Sequence, residues 1–377
     1  QVGRGHARGG GVAMCAAMPP QLGVVAVGSP MWDTMARVDD CFLEARTLPK
    51  GDATPMHDAG SFADLKAAAI AASLRPATQG CGGCACNTAK VLARLLGRDV
   101  NAGVVAFSGG IGRAGEATAA VRAGLVACEV LDLLAEADEG DPSGSETGEV
   151  LCLVTDDGER TFAYRSGASA TLTSSALSKA LRGQAASPSG LKMAYFDAYT
   201  FLNPGRVAED GMREAKALGA KVGLNLGSPG IVAEQRNRLW DLLDAGLCDV
   251  LAMNEAEARA LCEGIDVGGD EPQKLCAAVG TRCELVALTL GAEGLFATFG
   301  RGAPPQHYAV RAVVEVEDTT GAGDFFAGGL LAGWLRGMPM EESVRWGAEA
   351  AAMVLAVFGT DPGPVGWKAL QDCCLGV

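Results

Sequence analysis

The sequence predicts an α/β protein: a mostly parallel central sheet with helices on both faces, a three-layer α/β/α arrangement, carrying a small β-rich lid. Three observations predict it. Short apolar, β-branched runs alternate with helix-period stretches over roughly 200 residues, the pattern of crossover helices on a parallel sheet. A hairpin-like region at 149–164 and a polar segment at 34–60 break that alternation. Hydrophobic residues make up 49% of the 377 and charged residues 20%, enough apolar material for a large core.

Residues 1–21 hold Arg4, His6 and Arg8, several glycines and no acid. They read as a tail, either a transit-peptide remnant, which would be basic and acid-poor, or residues upstream of a true start at Met14. The remainder, 22 to 377, reads as one domain. Leu22 to Gly28 (LGVVAVG) is a buried strand closed by glycine. Ala85 to Leu96 is helical, Gly103 to Phe107 a strand, and Ala117 to Ala127 a helix. Glu149 to Val154 and Arg160 to Tyr164 are strands joined by an Asp157-Gly158 turn. With 34–60, the stretch 149–172 forms the expected discontinuous lid. Met193 to Phe196, Val222 to Leu226, Asp249 to Met253 and Leu285 to Leu290 are further strands. Helices at Val207 to Leu218, Ala233 to Leu243, Glu255 to Leu261 and Gln273 to Val279 separate most of them. The acidic, Gly/Ser-bearing stretch Glu136 to Glu149 reads as a solvated loop.

Charge and composition exclude several classes. Thirty-one basic against 45 acidic side chains leave a net charge of −14, which argues against nucleic-acid binding. No apolar run reaches the ~18–20 residues of a membrane helix, so a soluble, cytoplasmic protein is expected, or an organellar (for example plastid) one if the tail is a transit remnant. Thirteen cysteines at irregular spacing do not read as a disulfide framework, and three histidines offer little for metal sites or serine–histidine triads. Cys81, Cys84 and Cys86 have CxxCxC spacing, but no fourth ligand lies near in sequence. Glycine, at 52 residues, is about twice its usual ~7% share, which points to tight turns or close backbone approaches to a ligand.

The strongest local signal is Asp318-Thr319-Thr320-Gly321-Ala322-Gly323-Asp324, followed by FFAGGLLAGW. An extended run, Val313 to Val316, leads into a small-residue loop that opens an apolar helix. Such a junction points unpaired N–H groups and a positive dipole end at one spot. Gly321, Ala322 and Gly323 would let a phosphate approach, and Asp324 could accept a proton from a hydroxyl beside it.

These residues resemble the signature of the ribokinase-like (PfkB) carbohydrate and nucleoside kinases, in their adenosine-kinase-like branch. DTTGAGD stands complete at 318–324. The resemblance runs in order from about Leu22 to about Gly359, and implies one kinase domain over 22–377. Gly28-Ser29-Pro30-Met31-Trp32-Asp33 resembles the end of the first strand, and Gly82 to Asn87 the GGxxxN signature. Asp157 to Thr161 resembles the DGxRT turn. Phe196-Asp197-Ala198-Tyr199 looks like the (E)GY segment, and Asn225 to Pro229 like NLSxP. Asn254 to Glu257 looks like NxxE, and Thr289 to Gly294 like TxGxxG. Ser29 stands for the usual asparagine, Cys84 for the common serine, and Arg113 where the GxVGxD pattern has its acid.

The resemblance implies ATP-dependent phosphorylation of a primary hydroxyl of a nucleoside or sugar, with Asp324 as general base and 321–323 as anion hole. Asp33, Gly82, Gly83 and Asn87 would bind the acceptor, Gly82 and Gly83 by removing side chains where a sugar ring rests. Asn225, Thr289, Gly291 and Gly294 would bind nucleotide, and Asn254 and Glu257 would hold Mg²⁺ largely through water. A monovalent cation such as K⁺ joins ATP and Mg²⁺ among the implied cofactors. The NLxxP and GY resemblances favour an adenosine-like acceptor over ribose or fructose. A monomer or homodimer acting on a small molecule is expected. The alternative is a non-catalytic kinase-like scaffold subunit of an organellar assembly, which the basic tail and the altered 109–115 stretch would suit.

Overall fold

The structure is a computed structural model and describes residues 23–97, 105–138, 146–269, 271–311, 313 and 315–376. The tail at 1–21, the centre of the 136–149 loop, the start of the 103–107 strand and Val314 lie outside these residues. The described strands are β1 (Val24–Val27), β2 (Met31–Arg37), β3 (Ala53–Pro55), β4 (Thr78–Gly82), β5 (Val105–Ser108), β6 (Gly110–Ile111), β7 (Leu131–Asp132) and β8 (Ala135–Glu136). They continue with β9 (Gly148–Val154), β10 (Arg160–Arg165), β11 (Met193–Asp197), β12 (Lys221–Asn225), β13 (Val250–Asn254), β14 (Leu285–Thr289), β15 (Leu295–Phe299) and β16 (Gln306–Tyr308).

Nine of these form one sheet in the order β16-β15-β14-β13-β12-β11-β1-β5-β7. All pairings from β14 to β7 are parallel, and only β15, paired antiparallel with both β14 and the edge strand β16, runs the other way. Both faces are covered. Along β1, Val24 and Ala26 enter the core formed with helices Cys84–Leu96, Ala322–Leu335 and Met340–Leu355. Val25 and Val27 enter the opposite core, with helices Val207–Ala217, Pro229–Asp244 and Glu255–Cys262. The two-residue period of a strand thus feeds two cores, which is why its signal is a continuous apolar run.

The helix Ala322–Leu335 is apolar all round because it is buried between Cys84–Leu96 and Met340–Leu355. Its glycines set the packing distance. A Cβ on Gly328 would come 2.6 Å from Val91 Cβ, and one on Gly329 2.3 Å from the Trp346 carbonyl. Part of the glycine excess is therefore close helix packing, not turns.

A second sheet, in the order β3-β10-β9-β2-β4, stands apart from the first. One face packs Ala36, Leu151, Leu153 and Ala163 on Phe62, Leu65 and Ala69 of helix Ala59–Ala72. The other face sets Met35, Cys152 and Val154 against Phe358 of the main body. The sheet draws on residues beyond 34–60 and 149–172. β2 starts at Met31, and β4 (TQGCG) carries two glycines and no apolar alternation. β4 is a strand because β2 pairs with it, Asp33 opposite Gly80, and tertiary pairing overrides its weak propensity.

Candidate active site

Four adjacent strands end on polar residues: Asp197 on β11, Asn225 on β12, Asn254 on β13 and Thr289 on β14. Register places Asp197 beside Asn225 and Asn254 beside Thr289. From β1 the sheet grows one way through β5 and the other through β11. The site therefore lies at the carboxyl ends next to a topological switch point, where open α/β sheets bind ligands.

The loop at 318–324 closes this edge. Gly321 caps the helix Ala322–Leu335 in a left-handed conformation (φ 77°), which a side chain would strain. A Cβ on Gly323 would meet nothing within 4 Å, so this face of the loop is open. Asp318 holds the loop in shape. Its Oδ1 accepts from Thr320 N (3.0 Å) and Thr320 Oγ1 (2.9 Å), and its Oδ2 from Gly359 N (3.1 Å).

Asp324, buried in the first helical turn, is gripped by two amides. Asn87 Nδ2 donates to Oδ2 and Asn225 Nδ2 to Oδ1, each at 3.1 Å. Neither amide can turn without loss, since donors hold their far ends: Lys90 Nζ donates to Asn87 Oδ1 (3.1 Å) and Gly227 N to Asn225 Oδ1 (3.0 Å). Asn225, expected at the nucleotide, thus spends its amide on the carboxylate. Asn87, expected at a ring hydroxyl, keeps only its second N–H for one.

Burial dominates the electrostatics here. It pushes Asp324 up from 3.8 to about 7, opposed by the Asn87 bond and reinforced by Asp197. Asp33 rises to about 7 by burial, with Lys90 opposing, and Glu257 to about 7 by burial against the Asn254 N–H. Asp197 rises to about 6 by burial, against bonds from Ala85 N and Thr200 N. Burial opposes a charge on Lys90, but the sulfurs of Cys86, Cys81 and Cys128 and the Asp33 carboxyl raise its pKa.

Raised carboxyl pKa values make folding favour the protonated form. Their contribution is complete below the unfolded values and is lost as pH rises through about 7. The ligand-free protein is therefore expected to show a higher urea midpoint at pH 5 than at pH 8, with a smaller difference in Asp324→Asn. Equal midpoints at both pH values would show that these carboxyls titrate normally.

Asp33 lies on β2 with its carboxylate against Gly82. A Cβ on Gly82 would fall 1.8 Å from Asp33 Oδ2, and one on Gly83 (φ 99°) 2.1 Å from the Ser29 carbonyl. The glycine pair is thus required by the protein's own packing. Asn254 and Glu257 meet in a reciprocal capping box: Glu257 N donates to Asn254 Oδ1 and Asn254 N to Glu257 Oε2, both at 2.9 Å. Glu257 keeps its second oxygen. Thr289 Oγ1 lies 3.5 Å from the Met253 carbonyl. Gly294 (φ 94°) is required by the Tyr308 carbonyl, 2.1 Å from where its Cβ would stand, whereas a Cβ on Gly291 (φ 59°) would meet nothing.

The three cysteines at 81–86 diverge. Cys81 and Cys86 sulfurs lie 3.4 Å apart, while Cys84 neighbours Asp324. Among the described residues, no three His, Cys, Asp or Glu side chains are grouped to hold a metal ion. No described helix is long and apolar enough to cross a membrane.

Sequence reasoning assigned no role to Lys90, Asp197 or Asp318. Lys90 had a legible signal, a cation three residues after Asn87 and so on the same helix face. Asp197 had one too, an acid closing an apolar strand. The bond from Ala85 N to Asp197 Oδ2 (3.1 Å) caps a helix whose N-cap, Gly83, has no side chain.

The pfkB family of carbohydrate kinases matches this chain over residues 74–365. The chain belongs to that family. This pfkB chain is 33% identical over 148 residues to the ribokinase of Haemophilus influenzae, a segment covering 38% of this chain and 44% of that protein. It is 38% identical over 99 residues to the cytidine kinase of Thermococcus kodakarensis, 26% of this chain and 35% of that one. Each match spans less than half of the relative. The crystal structure of the adenosine kinase from Sinorhizobium meliloti superposes with a TM-score of 0.74 at 26% identity, covering 94% of this chain and 99% of that one. The pfkB chain has their ribokinase-like α/β fold.

Proposed function

We propose that this chain transfers the γ-phosphoryl group of ATP to a primary hydroxyl of a nucleoside or sugar. The observation that carries this reading is Asp324: a buried carboxylate with pKa about 7, at the head of a helix beside an open glycine loop, held by two oriented amides. A base with a pKa near the working pH is suited to accepting a proton in the transition state.

Asp324 takes the proton of the acceptor hydroxyl as its oxygen bonds to the γ-phosphorus and the bond to ADP breaks. The Ala322 N–H is engaged with the Thr319 carbonyl (3.3 Å), so the N–H groups of Gly321 and Gly323 carry most of the anion hole. Asp33, on the second sheet, takes two vicinal hydroxyls of the acceptor. Thr289, Gly291 and Gly294 border the nucleotide. Mg²⁺ would neutralise phosphate charge. Glu257, with one oxygen left by the capping box, suits a hydrated ion, and Asn254 positions it. The segments 34–60 and 149–172, with the sheet they build, act as a lid over the acceptor and keep water from competing.

An ADP-release assay with adenosine, inosine, ribose and fructose, with and without Mg²⁺ and K⁺, tests this. Acceptor-dependent, Mg²⁺-dependent ADP release is expected, highest with adenosine. No release with any primary-hydroxyl nucleoside or sugar would overturn the reading.

A further inference from the structure

We propose that Lys90 is a positioning residue of this site: its ammonium fixes the Asn87 amide in the one orientation that presents N–H to Asp324. The inference rests on the reading of Asp324 as general base. Lys90 is 3% exposed on helix Cys84–Leu96, between the fully buried Ala89 and Val91. Lysine is almost never buried so deeply without a partner. Here Nζ donates to the Cys81 carbonyl and to Asn87 Oδ1 (3.1 Å).

Donor chemistry makes the link directional. An ammonium can only donate and a carboxylate can only accept, so an amide between them has a single satisfied orientation. Oδ1 faces Lys90 and Nδ2 faces Asp324, which favours the ionised form of the base. Without the ammonium, Asn87 is free to turn. The turned amide offers Oδ1 to Asp324, a bond that only the protonated acid can make. The Lys90 bonds go to Asn87 and the Cys81 carbonyl and not to Asp324, so Lys90 acts through Asn87.

The charged and titratable groups facing Lys90 are Asp33 on β2, Cys81 on β4, Cys86 on its own helix and Cys128. Those facing Asp324 are Cys84, Asp197, Glu257, Tyr195 and Tyr199. Lys90 also opposes the rise of Asp33, so its loss is felt in acceptor binding as well. The kcat profile under saturating acceptor separates the two effects.

The experiment measures kcat against pH for wild type, Lys90→Met, Asn87→Leu, the double variant and Asp324→Asn. Lys90→Met is expected to move the acidic limb up by roughly one pH unit. Activity should be lost near neutrality and largely recovered at alkaline pH. In the Asn87→Leu background the Lys90→Met shift should vanish, because the link runs through Asn87. An unmoved limb, or a shift that persists without Asn87, overturns the assignment while leaving the base reading intact. If Asp324→Asn turns over like wild type, the base reading fails and this one with it. Should Lys90→Met not fold, Lys90→Gln, which retains a donor, should give a smaller shift. If neither folds, Lys90 is structural and the proposal falls.

Discussion

Replacing Asp324 with asparagine is expected to lower kcat by a factor on the order of 10²–10⁴, the range of general-base catalysis. ATP affinity should stay within a few-fold, because the proposed anion hole is made of backbone N–H groups that the substitution leaves in place. The variant should still fold. The introduced amide meets one neighbouring amide donor with its own, since Asn87 and Asn225 are each held from behind by Lys90 and Gly227, and an unsatisfied donor costs about 1–3 kcal/mol. Against that, the variant no longer buries an ionisable carboxyl whose pKa burial has raised to about 7. Steady-state kinetics, ATP titration and a urea melt read these three quantities separately. Turnover within a few-fold of wild type would remove Asp324 from the mechanism.

Gly82→Ala is the second large expected effect, and it acts on a neighbouring residue. The new Cβ would fall 1.8 Å from Asp33 Oδ2 and 2.4 Å from Cγ, so the carboxylate must leave its place. If Asp33 holds two vicinal hydroxyls, losing hydrogen bonds of about 1.5–3 kcal/mol each raises the acceptor KM by on the order of 10²-fold or more. The KM for ATP should barely move. Asp33→Ala should reproduce this defect, and adding Gly82→Ala to it should change little, because the clashing carboxylate is then absent. Additive defects would mean that Gly82 faces the ligand itself. Gly83→Val belongs to another mechanism: its side chain would enter the Ser29 carbonyl on a backbone with φ 99°, and misfolding is the expected result.

The sequence alone was enough for the α/β class and for most of the large sheet. β1 and β11 to β14 are parallel strands buried on both faces, so β1, β11, β13 and β14 each carry an uninterrupted apolar run of four residues, and β12 a shorter one, Val222-Gly223-Leu224. The loop at 318–324 was legible too, because a left-handed glycine at a helix start and an acid in its first turn are local features. β4 was not legible: TQGCG has no pattern of its own, and its pairing with β2 makes it a strand.

The roles of the polar residues divide along the same line. That Asp324, Asn87, Asn225 and Glu257 would serve one kinase site was what the family resemblance implied. What each touches did not. Asn87, Asn225 and Asp324 lie 237 and 99 residues apart in the two bonds that join them. Their meeting depends on sheet register and on the packing of helix Ala322–Leu335 against Cys84–Leu96. Burial in the assembled core raises the pKa values of Asp324, Asp33 and Glu257, while Lys90 decides which way an amide faces. Periodicity and turn chemistry are properties of a few adjacent residues and can be read along the chain. Burial and donor geometry at a site built from four distant segments exist only once the whole core is assembled, and only tertiary structure decides them.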